Sequence, residues 1–188
     1  IALTILTIIS MFVRNFVVLL AFSREAAAVA FWPILAMTIC AFIFAFRKTE
    51  ATQPIPEIGL SSPVSIRKIA SFTFIFLAIQ AIGSLGQRFF GEYGTVVVSF
   101  LGGFVSSASS TAAVGSLAAH QEISANGAAI SAVLASVASA IVNIPIIYRV
   151  TKDSQVIKVL ITISTLITLI GLGILWLVSW LGLPMLWR

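Results

Sequence analysis

The chain has 188 residues, 60% of them hydrophobic and 9% charged, with eleven bases against six acids and a net charge of +5. Soluble domains run at about 45–50% apolar and roughly 25% charged, so a water-exposed globule of this size would lack the polar surface to cover itself. The basic balance does not point to nucleic acid either. The bases sit in short clusters between long uncharged stretches, not on a basic face interleaved with aromatics, and beside membrane ends they meet lipid headgroups and bias topology.

A spanning helix needs about 20 mostly apolar residues, and the sequence predicts six, an all-α polytopic transmembrane bundle. The first, 1–22, is interrupted by Arg14 and Asn15, and the second, 26–46, carries Pro33 but no charge. A polar connector with Pro54, Pro56 and Pro63 runs to Lys68. The third segment covers 69–87, and a turn at Gly91-Glu-Tyr-Gly94 leads to the fourth, 95–119. The fifth is 123–148 and the sixth 159–187. Helices are the economical reading because lipid leaves every backbone amide to be satisfied within its own segment. Ser23 before Glu25, Thr151 before Asp153, and Ser124 read as helix caps. Trp176, Trp180 and Trp187, with Pro184, read as an interfacial end. Cys40, the single cysteine, lies in an apolar run and reads as a small buried hydrophobe.

Sliding the sequence by 128 positions puts Asn15 on Asn143 and Ser23-Arg-Glu25 on Thr151-Lys-Asp153, with a charge-free helix following each. The implied organisation is 1–50 as the end of a first repeat, 51–68 as connector, and 69–188 as a second repeat of four segments. No basic leader or small-residue cleavage site precedes the first run, so it is not a signal peptide. The chain opens inside a hydrophobic segment without Met, and the expectation is a piece of something longer. Topology has two solutions. If all six segments cross, the bases divide five and five. If the fourth is broken or re-entrant, Arg149, Lys152 and Lys158 join the four bases of the connector, and the repeats become inverted.

The stretch from Gly102 to Ser116 is the most unusual: twelve of its fifteen residues are Gly, Ala, Ser or Thr. Small residues recur every four positions, as Gly102, Ser106, Ser110 and as Gly103, Ser107, Thr111, Gly115. Two readings stand. Such rows let another helix approach closely, with Gly102 and Gly103 as packing positions. Alternatively Ser106, Ser107, Ser109, Ser110 and Thr111 line a polar cavity, next to a segment that the glycine pair lets unwind.

Arg14 is the one charge within the six segments, nine residues before Ser23 and so about 14 Å along a helix. That is too deep for easy snorkelling, so it is expected to face the interior. Asn15 and Asn143 are candidates for interhelical hydrogen bonds or for the same site, as is Gln80 in the third segment; Pro145 can free carbonyls beside Asn143. His120, the sole histidine, sits beside Glu122 at a polar helix end and reads as interfacial. No GxSxG or HExxH pattern and no phosphate-binding glycine loop occurs. The reading is therefore no enzyme, no cofactor and no metal site.

The run Gly102-Gly-Phe-Val-Ser-Ser-Ala-Ser-Ser-Thr-Ala, together with Met11-Phe-Val-Arg-Asn-Phe-Val, resembles the MgtC/SapB-type bacterial membrane proteins. The likeness is closest to the multi-helix membrane domain that follows the MgtC domain in longer members. The resemblance implies an inner-membrane protein associated with magnesium limitation, phosphate handling and regulation of other membrane machines. It carries over to Gly103, Ser106, Ser107, Thr111, Arg14 and Asn15 as motif positions. The acidic residues of the MgtC domain have no counterpart here.

Two functions are compatible with these residues. One is a transporter or channel-like protein for a small ion, cation or phosphate, with a site built from Ser106, Ser107, Ser110, Thr111, Asn143, Arg14 and Asn15. The other is a non-transporting regulator that binds another membrane protein, or a second copy of itself, through small-residue helix faces. The lipid bilayer is the expected partner in either case.

Overall fold

With no hydrogen-bonding solvent around it, a chain this apolar has to satisfy its backbone internally. In the computed structural model, which describes residues 2–47, 66–151 and 154–181, every regular element among those residues is an α-helix. They are α1 (Ala2–Phe22), α2 (Arg24–Arg47), α3 (Ile66–Phe90), α4 (Glu92–Ala119), α5 (Ala125–Thr151) and α6 (Ser154–Leu181). All six are long and apolar enough to cross a membrane, and the chain is a multi-pass integral membrane protein. The helices run a few residues past the apolar segments at most ends: α3 begins at Ile66 and α4 already at Glu92, so the turn before it shrinks to Gly91 with φ +64, a conformation glycine adopts without strain. Two caps form as the sequence suggests. Ser23 Oγ accepts from the Ala26 amide at 3.3 Å, and Ser124 Oγ accepts from the Gly127 amide at 3.0 Å. The Thr151-Lys-Asp153 cap, Pro184 and Trp187 lie outside the residues whose side chains are described.

Polarity is arranged for lipid. On α4, Val97, Leu101 and Val105 are 56%, 58% and 71% exposed, while Thr95, Ser99 and Gly103 on the opposite face are buried. The spacing of four residues puts each set on one stripe. Small residues inside and large ones outside allow close helix contact where lipid tails supply no hydrophobic drive of their own. The apolar core lies between α1, α2, α5 and α6, around Ile8, Phe12, Leu19, Ala30, Met37, Ala132, Val133 and Ile167.

α4 is not one rod. Ser106 has φ −159 and ψ 103, an extended residue inside the helix, and it divides α4 into α4a (92–105) and α4b (107–119). A straight helix of this length would separate Glu92 from Ala119 by about 40 Å. Instead a Glu92 carboxylate oxygen accepts from the Ser124 amide at 2.8 Å, five residues beyond the end of the helix. A Cβ at Gly102 would stand 2.6 Å from Ser110 Oγ, so the residues flanking the break face each other. The α3 contacts agree: Thr95 Oγ1 on α4a donates to the Gly83 carbonyl at 3.2 Å, and Gln80 Nε2 donates to Ser116 Oγ on α4b at 3.2 Å. Both halves thus lie beside the same part of α3, antiparallel to one another. α4 is a re-entrant hairpin, each arm about 20 Å long, short of the roughly 30 Å hydrocarbon core. Both of its ends emerge at one face, with the α1–α2 turn: Ser23 and Glu25 line one pocket together with Glu92, Glu122 and Ser124.

Glycine makes the folding-back possible. Gly94 touches Gly86 backbone to backbone at the α3–α4 corner, and a Cβ at Gly103 would meet the Ala135 carbonyl oxygen of α5 at 2.5 Å. Because α4 enters and leaves at one face, α5 starts there and runs antiparallel to α1, and α6 runs antiparallel to α2, with Gly171 against Met37. The pairs α1–α2 and α5–α6, 128 positions apart, consequently run in opposite directions.

The hairpin makes a direct prediction. In a Cys40→Ala background, Tyr93→Cys and Gln121→Cys react with a membrane-impermeant thiol reagent from the same side of the membrane. Lys158→Cys reacts from the other. Labelling of Tyr93→Cys and Gln121→Cys from opposite sides would mean that α4 crosses.

Candidate functional site

The hairpin tip is a capped helix start held inside the protein. Ser106 Oγ accepts from the Ser109 amide at 3.3 Å and lies 3.0 Å from Ser109 Oγ, while Ser110 Oγ donates to the Ser106 carbonyl at 3.0 Å. This is the N-cap arrangement, and it takes up part of the hydrogen-bonding capacity that breaking a helix exposes. Ser107, Ser109, Ser110 and Thr111 are all buried to 1% exposure or less.

α1 and α5 bring the remaining residues to the tip. Arg14 Nη2 donates to Ser107 Oγ across a long 3.5 Å. Its neighbour Asn15 is fully buried, and its Nδ2 donates to Ser136 Oγ on α5 at 2.9 Å, leaving Oδ1 without a partner. Ser136 in turn donates to the Ala132 carbonyl at 2.8 Å. On the other side of Arg14 opens a pocket of about 250 Å³ lined by Thr7, Ser10, Met11, Arg14, Ser139 and Asn143. The sequence turned Arg14 to the interior; it is instead exposed in the chain. It sits on the border between the packed face of α1 (Met11, Phe12, Asn15) and the outer face (Val13, Val17), and from there it meets both Ser107 and the pocket.

All seven residues proposed from sequence thus fall in one region, with different roles. Ser106 and Ser110 build the turn and its cap, and Ser107 meets Arg14. Thr111 is fully buried, and its hydroxyl has no partner. Asn15 ties α1 to α5, whereas Asn143 faces the pocket. Gly102 and Gly103 permit close contact, Gly102 with Ile79 and Ser110, Gly103 with Ala135. Gln80 is spent on Ser116 Oγ, outside the site, and His120 is exposed with its ring Nδ1 2.8 Å from the Ser116 carbonyl oxygen. Pro145 continues α5 without donating to the Ile141 carbonyl.

Sequence reading missed Thr7, Ser10, Ser136 and Ser139. The signal was present as two polar stripes at helical spacing, Thr7-Ser10-Arg14 on α1 and Ser136-Ser139-Asn143 on α5. Neither stripe has the residue density that draws attention to the serine run. Among the described residues no group of three or more His, Cys, Asp or Glu is placed to hold a metal.

Residues 1–151 match the model of a family described as a domain of unknown function, DUF4010, and the chain belongs to that family. No curated protein and no solved structure matches it.

The Asn15–Ser136 contact is testable by itself. A double-mutant cycle with Asn15→Ala and Ser136→Ala, read by thermal unfolding in detergent, is expected to give a coupling of about 0.5–2 kcal/mol, the range for hydrogen bonds between membrane helices. Additive effects would remove the bond from the account of how α1 is positioned.

Proposed function

For this member of the family, we propose that the chain forms the ion-handling part of a membrane transporter or channel-like protein, with its site at the hairpin tip between Ser107, Arg14 and Asn143. One observation carries the reading: a helix that ends inside the membrane, its start beside a lone intramembrane arginine and a polar pocket. Non-helical backbone at membrane depth is tolerated where protein buries it or where it lines a cavity, and the ends of broken helices are where transporters hold their ions. Intramembrane charges mark ion paths by default.

The partner-binding alternative needs free small-residue faces. Here the rows are occupied within the chain: Gly103 on Ala135, Gly102 on Ile79 and Ser110, Gly115 on Phe22 and Leu19. That favours the transport reading. The opposed directions of α1–α2 and α5–α6 support an inverted repeat, the arrangement in which transporters rock one half against the other. Segments 47–68 and 149–158 hold seven of the eleven bases, and the ends of α2, α3, α5 and α6 that flank them lie at the face opposite the hairpin ends. The positive-inside rule makes that face cytoplasmic, in keeping with the bacterial inner membrane that the MgtC/SapB resemblance implies.

The test is flux through the full-length protein in proteoliposomes, with protons, potassium, magnesium, phosphate and chloride as the first panel. Ser107 is 1% exposed, so Ser107→Ala is the suitable variant, removing the hydroxyl without overpacking. Arg14→Ala removes a charged hydrogen-bonding group worth about 1.5–3 kcal/mol, so flux is expected to fall by about tenfold or more. Folded protein that moves none of these ions would turn the reading towards the regulator.

A further inference from the structure

The charges around the hairpin tip all have one sign. A helix start carries about +0.5 of an elementary charge, and α4b starts at Ser107 inside the protein. Against that start lies the Arg14 guanidinium, also positive, at 3.5 Å from Ser107 Oγ. The acids among the described residues are Glu25, Glu92 and Glu122, all at the face where the hairpin enters, and the described parts of α4 and of α1, α3 and α5, which pack on it, contain none deeper in the membrane. Two positive poles therefore face each other in a low-dielectric setting with no carboxylate between them, an arrangement that costs energy until a negative charge joins it.

Groups able to donate lie near Arg14, while the unpartnered acceptor Asn15 Oδ1 belongs to the side chain that ties α1 to α5. Thr111 is fully buried and its hydroxyl is unpartnered. It stands one turn beyond Ser107 on the same row. Ser10, Ser139 and the Asn143 amide add donors from the pocket on the other side of Arg14. We infer that this site, taken as the ion site of the proposed transporter, binds a small singly charged inorganic anion in the pocket beside Arg14, whose guanidinium also meets the α4b start. The charge count selects the valence: one guanidinium plus about half a charge from the helix matches a monovalent anion and leaves a dianion undercompensated in a site with no second cation. A bare metal cation would meet two positive poles.

This inference rests on the transport reading for its biological use, and the experiment separates the two. Binding of chloride, nitrate and sulfate to the purified full-length protein is measured by calorimetry in detergent, with gluconate as the background anion. Flux of the same anions and of potassium and magnesium is measured in proteoliposomes. Chloride and nitrate bind and sulfate does not. Arg14→Gln weakens chloride binding about tenfold, as expected for loss of a charged hydrogen-bond donor; Arg14→Lys restores most of it, and Asn143→Ala, which removes a pocket donor, weakens it in a protein that elutes as a folded species. Absence of anion binding, tighter binding of sulfate than of chloride, or binding indifferent to Arg14→Gln overturns the anion site. If cation flux persists without anion binding, the transport reading stands and this inference falls. If anions bind but no ion moves, the site stands and the transport reading falls. If nothing binds and nothing moves, both fall.

Discussion

The architecture depends on what happens to the backbone at Ser106. Inside lipid a broken helix exposes amides and carbonyls that no solvent will satisfy, so a break survives only if the chain itself supplies partners. Here the broken residue does much of that work. Its side chain accepts from the Ser109 amide and its carbonyl accepts from Ser110 Oγ. With alanines at 106 and 110 the same backbone would keep its extended residue but lose both of these bonds. The density of hydroxyls thus has a structural reason at two positions before any ligand is considered, and the excess over that reason lies at Ser107 and Thr111.

Everything around the tip follows from the decision to turn back. A hairpin with both ends at one face makes the number of crossings from α3 to α6 odd, which reverses α5–α6 relative to α1–α2. It also demands narrow contacts, because two arms and α3 share a space that one spanning helix would occupy. Gly86 and Gly94 meet at the corner, Gly102 admits Ser110 and Ile79, and Gly103 lies on the Ala135 backbone. Glu92 then holds the hairpin's entrance by capping the start of α5 through the Ser124 amide, and Ser84 Oγ donates to Glu122 at 2.9 Å beside it. The acids of the described residues are used at this rim, which leaves the interior of the bundle without a negative charge.

Much of this was legible in the sequence. Charge-free runs, proline-rich connectors and caps identify six helices because the bilayer imposes a length and a composition that few other environments require. The glycine pair at 102–103 marked the neighbourhood of the break, which falls three residues later, where a serine can cap the second arm. The choice between a crossing and a re-entrant segment was not legible. It depends on tertiary contacts such as Glu92 with Ser124, and a 28-residue apolar helix has the same composition in either form. Arg14 shows the same limit. Depth along α1 was readable from its distance to Ser23, but which side it faces depends on helices 93 to 129 residues away in the chain. The polar stripes on α1 and α5 escaped notice because each contributes one hydroxyl per turn, below the threshold at which a run looks unusual.

The two asparagines 128 positions apart show how far sequence equivalence carries. Asn15 is sealed between α1 and α5 and ties them through Ser136, while Asn143 lines the open pocket beside Arg14. Met11 and Ser139, also 128 apart, both line that pocket, so it sits where the two antiparallel helices cross and equivalent positions come together. The difference in role between the asparagines goes with their surroundings: α5 packs on both α1 and the hairpin, whereas among the described residues the pocket is lined from α1 and α5 alone. Asn15 and Asn143, matched by the 128-residue spacing, thus do different work, one holding α1 to α5 and the other lining the pocket, and Arg14, which has no basic counterpart at position 142, puts a positive charge beside that pocket.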